Sequence, residues 1–159
     1  MRSSHFAKAF PRLQPGDYRI TSAATPRYNC IAWAAGKDDN WWWPPGGFSG
    51  YHWPADIATD STLENFIKAF ESLGYQVCDS HELEPDVEKV AVYIGSDGAP
   101  THAARQLASG AWTSKLGKAE DIEHQTLACL EGGVYGIVAQ IMTRVARTLR
   151  TRRVAPAAR

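Results

Sequence analysis

The sequence predicts an α+β domain, with helices in its first half and an antiparallel sheet in its second. Three observations carry that expectation. Capped, helix-forming segments stand before Gly74; alternating runs broken by Asp-Gly and Ser-Gly turns fill the region from Tyr75 to Leu116. The whole chain, 159 residues at 44% hydrophobic and 21% charged, has the make-up of one globular unit with a single core.

Residues 1–24 mix Pro11, Pro15 and Gly16 with short polar runs and read as an irregular lead-in. The segment from Thr25 to Gly36 then switches to good helix formers. Thr25 or Asn29 is suited to cap it, Cys30 falls in its first turn, and Gly36 suits the left-handed position after its end. From Lys37 to Pro54 the density of Trp, Pro and Gly fits neither helix nor strand, so this is a long aromatic loop with an exposed turn at Pro44-Pro45-Gly46-Gly47. A long loop inside a small domain is usually functional. The pattern Ser61-Thr62-Leu63-Glu64 is a capping box opening a helix over 62–73, with Leu63, Phe66, Ile67, Phe70 and Leu73 on one face.

Strands are expected at 75–78, 89–94, 101–107 and 111–116, then a helix over 120–130 with acids in its first turn, then a strand over 135–142. One domain therefore spans 25–142, followed by a tail over 143–159. Lysines and arginines total 17, as do aspartates and glutamates, yet no acid follows Glu131, while six arginines follow Thr143. The tail is thus basic. It is suited either to weak contact with nucleic acid or an anionic membrane surface, or simply to keeping a solvated end soluble.

No apolar run approaches the roughly 20 residues of a membrane helix, and the first ten residues lack the apolar centre of a secretory signal. A cytoplasmic protein with no integral membrane segment is expected. Three scattered cysteines, Cys30, Cys78 and Cys129, match neither a disulfide framework nor a zinc signature, and Asp121, Glu123 and His124 could hold a metal but lack a further ligand, so no metal and no other cofactor is expected.

Cys30 is the candidate nucleophile, because unsatisfied N–H groups at a helix start favour a thiolate. Cys78, on a buried-strand pattern, and Cys129, within the expected helix, read as small hydrophobes. A thiol nucleophile needs a base. Of five histidines, His102 alone lies near the head of an expected central strand, beside small alanines that leave room for another element. The same residues also fit a buried cysteine and a strand histidine that never meet.

The order of a helix beginning at Cys30, a second helix and a sheet with His102 early in a long strand resembles the compact papain-like hydrolases of the NlpC/P60 and CHAP kind. The segments Tyr28-Asn29-Cys30-Ile31-Ala32-Trp33-Ala34, Trp41-Trp42-Trp43-Pro44, Thr101-His102-Ala103-Ala104-Arg105-Gln106, Trp112-Thr113-Ser114-Lys115-Leu116-Gly117 and Asp121-Ile122-Glu123-His124 also resemble those of a bacterial family of uncharacterised domains. The papain-like resemblance implies a papain-like architecture and a third polar residue after His102. Asp121 is the first candidate by chemistry, and equally a routine helix cap, with Ser114 behind it. It further implies acyl transfer on an amide substrate, a peptide or glycopeptide, with Asn29 or Gln106 as oxyanion donor. Lys115 would be an electrostatic clamp or a solvated strand end. The glycines and Asp-Cys or Ser-Gly surroundings of peptidoglycan peptidases are missing.

Four of six tryptophans and Tyr51 lie within thirteen residues. Aromatic faces of this kind stack on sugars, bases or proline-rich peptide, and Trp42 and Trp43 are the expected substrate contacts. Two function classes follow: a thiol hydrolase or acyltransferase working through Cys30 and His102, and a noncatalytic module whose Trp-rich loop docks a glycan or peptide.

Overall fold

A computed structural model describes residues 4–44 and 51–146. The chain is mixed α+β. Helix α1 (Ser4–Ala9) is followed by a 3-10 turn (Pro15–Asp17), strand β1 (Tyr18–Ser22), α2 (Cys30–Ala34), α3 (Leu63–Glu71), β2 (Gln76–Cys78), β3 (Val87–Ile94), β4 (Pro100–Gln106), β5 (Trp112–Lys115), β6 (Asp121–His124), a second 3-10 turn (Ala128–Leu130) and β7 (Ile137–Val145). The seven strands form one sheet in the order β1-β6-β5-β4-β3-β7-β2. Every neighbouring pair in it is antiparallel.

Strand alternation divides the core in two. On one face Val90, Val92, Ala103 and Met142 meet Ile31 and Ala34 of α2 and Phe66 and Phe70 of α3. On the other, Ala91, Tyr93, Ala104, Trp112 and Ile122 meet Phe6, Phe10 and Leu13 from the N-terminal segment. That segment, expected to be irregular, instead supplies a helix to cover the second face and an edge strand, with Ile20 opposite Ile122. Phe6, Phe10 and Leu13 are spaced to bury together, and this spacing outweighs the local proline and glycine signals.

Asn29 caps α2 by accepting from the Ala32 N–H, and Thr62, one residue later than the capping box suggested, caps α3 by accepting from the Asn65 N–H. The expected helix over 120–130 is overturned. Gly117, at φ +62°, turns the chain into a hairpin that sets Lys115 opposite Asp121 and Trp112 opposite His124. Asp121 is thus a strand residue and not a helix cap. Alternation in Asp121-Ile122-Glu123-His124 buries Ile122 and His124 on one face, and this tertiary burial outweighs the acidic, helix-like composition. The last strand runs on through Val145, so 143–145 belong to the sheet; Arg144 pairs with Glu88 at 2.9 Å and lies over the Tyr75 ring. The remaining five arginines of the basic tail, and the Pro45 to Gly47 turn, lie outside the described residues. No helix among the described residues is long and apolar enough to cross a membrane.

Gly136 fixes the approach to β7. It sits at φ +75°, and a Cβ there would run into the Ile94 carbonyl oxygen. Gly136→Ala is expected to cost about 2 kcal/mol or more, since both the left-handed backbone and the backbone neighbour oppose the side chain. Chemical denaturation of the variant checks this; an unchanged midpoint would show that the loop relaxes freely.

Candidate functional site

The site begins at Asn29. Buried between α2 and the aromatic loop, its Oδ1 accepts from the N–H of Ala32 (3.1 Å) and of Trp42 (3.0 Å), while its Nδ2 donates to the Trp42 carbonyl (3.0 Å). One amide therefore starts α2 and fastens residue 42 of the loop. A parallel bridge between Trp42 and His52 closes the loop on itself, with the Trp42 and His52 rings 4.4 Å apart. Asn29 is consumed by architecture, which removes it as an oxyanion donor, and Trp42 is a core side chain at 7% exposure, not a substrate wall.

The neighbouring aromatics do face a cavity. Asn29, Cys30, Trp41, Trp43, Tyr51, Thr101, Gly117 and Tyr135 enclose about 360 Å³ at the start of α2, within the range of small-ligand pockets. Trp41 and Tyr51 stack at 5.3 Å with planes 18° apart, and Trp43 is held edge-on against Phe66 at 5.1 Å. Of the expected contacts, Trp43 is in place. Trp41, Tyr51 and Tyr135 were not singled out; the first two lie in the conspicuous aromatic run, whereas only the sheet brings Tyr135 across from beside Gly136.

Cys30 lines this cavity but is 6% exposed. Burial pushes its thiol up to about 11, against the opposing influence of nearby backbone N–H groups, Ala103 first, and of Lys115. It is a protonated thiol at neutral pH. A helix start favours the thiolate, but here desolvation outweighs it.

His102 is not brought to Cys30. Ala103 packs on the α2 face, so its neighbour His102 points to the opposite face, T-shaped to Tyr93 at 5.2 Å and stacked on Tyr135 at 3.9 Å. His102 and Ser114 Oγ are 2.9 Å apart, Ser114 Oγ and His124 Nε2 are 2.7 Å apart, and His124 Nδ1 lies 2.9 Å from the Thr126 carbonyl. That carbonyl fixes the polarity of the chain. His124 Nδ1–H donates to it, Ser114 donates to His124 Nε2, and His102 Nε2–H donates to Ser114. His102 Nδ1 is left a bare, buried acceptor with no partner among the described residues. Burial lowers both histidines, His102 well below its ordinary value and His124 to about 4. The runner-up, Ser114, is therefore the residue that orients His102. The order in which His124 joins them was hidden by reading it as helical.

Asp121 lies on the Cys30 side of the sheet. Its Oδ2 accepts from Tyr28 at 2.5 Å and from Ser22, and its buried Oδ1 has no partner among the described residues. It orients Tyr28 and not a histidine. Lys115, read as a solvated strand end or a clamp, is fully buried, donates to the Ala119 carbonyl and lies 5.3 Å from the Tyr28 ring centre. Burial lowers its pKa, with Asp121 acting in the opposite direction. Gln106 sits at the far end of β4, donating to the carbonyls of His81 and Gly110, and takes no part. Cys78 lies on the outermost strand and is half-buried, contrary to its buried-strand pattern; Cys129 belongs to a 3-10 turn, its thiol donating to the Thr126 carbonyl at 3.0 Å. Among the described residues no three His, Cys, Asp or Glu side chains cluster as metal ligands.

The fold and site define a seven-stranded α+β domain with an aromatic pocket at the start of a short, asparagine-capped helix. By sequence the chain belongs to the family described as a domain of unknown function, DUF7689, whose model matches residues 19–143. No curated protein and no solved structure matches it.

Proposed function

We propose that this domain is a noncatalytic binding module whose aromatic pocket docks a peptide or glycan. The observation that carries this reading is the cavity itself: Trp41, Trp43, Tyr51 and Tyr135 line about 360 Å³ that no side chain among the described residues fills. Aromatic side chains placed this way supply a large contact area at low entropic cost. The thiol beside them is held protonated by burial, and among the described residues no ring nitrogen hydrogen-bonds to it, which favours docking over acyl transfer.

Binding to peptide and glycan arrays tests the reading. Signal is expected from the intact domain, reduced about tenfold or more in Tyr51→Ala, which removes one wall of the pocket, and retained in Cys30→Ala. Array binding indifferent to Tyr51 would remove the pocket from the function.

The thiol hydrolase reading keeps one supporting observation, that Cys30 lines the pocket. Iodoacetamide labelling at pH 7 separates the two. Cys30, buried and protonated, should label more slowly than half-buried Cys78. Preferential labelling of Cys30 would restore the nucleophile and count against a purely noncatalytic domain.

A further inference from the structure

We infer that the pocket recognises a proline-rich segment of a peptide rather than a saccharide, an inference that rests on the binding-module reading above. The reason is complementarity of charge and of hydrogen-bonding groups. Among the described residues, none that lines the pocket carries a formal charge, so a charged ligand group would lose its hydration with no opposite charge to replace it.

The polar atoms of the lining are largely committed to the fold. Both lone-pair directions of Asn29 Oδ1 are taken by Ala32 and Trp42, and Asn29 Nδ2 donates to Trp42. The Trp41 indole N–H donates to the Pro26 carbonyl at 2.6 Å, and the Thr101 hydroxyl donates to the Tyr135 carbonyl at 2.6 Å. Among the described residues, no hydrogen bond engages the Trp43 indole N–H or the hydroxyls of Tyr51 and Tyr135. Besides the weakly donating Cys30 thiol, three groups thus remain, each able to donate and one of them, the indole, a donor only.

A pyranose brings several hydroxyls, each both donor and acceptor, more than three groups satisfy, and unsatisfied ones are costly when buried. Proline brings the opposite set: one carbonyl acceptor per residue, no N–H, and a compact, rigid apolar ring that packs on Trp and Tyr side chains. Its chain is already extended in the polyproline conformation, which lowers the ordering cost of docking between aromatic walls.

The test is titration of the full chain with a decaproline peptide and, separately, with cellohexaose and chitohexaose, followed by the indole N–H signals in a ¹H–¹⁵N spectrum. The Trp43 signal is identified by its absence in Trp43→Phe. Decaproline should shift that signal saturably, with affinity falling about tenfold or more in Tyr51→Ala and, followed on the Trp41 indole signal, severalfold in Trp43→Phe, which keeps a ring but loses the donor. Matching circular dichroism of both variants and the parent would show that neither loss is one of folding. Saturable shifts with an oligosaccharide and none with decaproline would overturn the proline inference while leaving the pocket standing. No response to either probe also overturns it; the pocket reading itself falls only if the arrays yield no binder that depends on Tyr51.

Discussion

Lowering the pH from 7 to 4.5 is expected to cost the domain about 2 kcal/mol through His124 alone. An unfolded histidine takes up its proton near pH 6.5, whereas His124 in the fold does so only near 4. Between those values the unfolded chain holds more protons than the native one, so stability is fully present above about pH 6.5 and falls as the pH falls. His102 is displaced in the same direction by its burial and adds a loss of the same sign. The cause is geometric: a second proton on either ring would put a charge in a layer formed by Tyr93, Tyr135 and Ile122. Protonating His124 Nε2 would also turn a donor toward the Ser114 hydroxyl proton. Urea unfolding across this range measures the loss. The imidazole proton resonances of both residues, identified by substitution, should stay at their neutral positions down to pH 5. Movement of both with midpoints near 6.5 would mean that the histidine chain is not sealed.

Asn29→Ala is expected to destabilise the domain by roughly 2–4 kcal/mol, more than loss of an ordinary helix cap at about 1. It removes the bond that starts α2 and leaves the buried N–H and carbonyl of Trp42 without their partner. Because the same amide fastens the aromatic loop, indole signals of Trp41 and Trp43 should broaden or shift even where the remainder of the spectrum is retained. Asn29→Asp separates the two roles. It preserves an acceptor for Ala32 and Trp42 but sets a carboxylate against the Trp42 carbonyl, so helix α2 should persist while the loop loosens. A denaturation midpoint for Asn29→Ala within 0.5 kcal/mol of the parent, a range typical of surface substitutions, would refute the central position given to this residue.

Local chemistry made much of the fold legible. The caps of α2 and α3, the glycine after each, and the Asp97-Gly98 and Ser109-Gly110 turns all depend on groups within a few residues of one another. The β6 strand was not legible, because its acidic composition suits a helix start and only pairing with β5 and β1 decides otherwise. The N-terminal strand was hidden for the same reason, its partner β6 being far along the chain. At the site, the aromatic loop and Trp43 could be singled out from density of residue type. The separation of Cys30 from His102 could not, because it turns on strand phase. A shift of one residue would have put His102 on the α2 face, and no local signal sets that phase.

The α+β class, the short helix opening at Cys30 and the aromatic loop after it were readable from residue order alone, since they follow from backbone propensities and from interactions between close neighbours. Packing of the whole chain was needed to show that burial raises the thiol pKa, that His102 joins Ser114 and His124 behind the sheet, and that Tyr135 lines the pocket. Burial, strand phase and the meeting of distant segments are properties of the packed chain, and a residue's chemistry is set by them as much as by its identity.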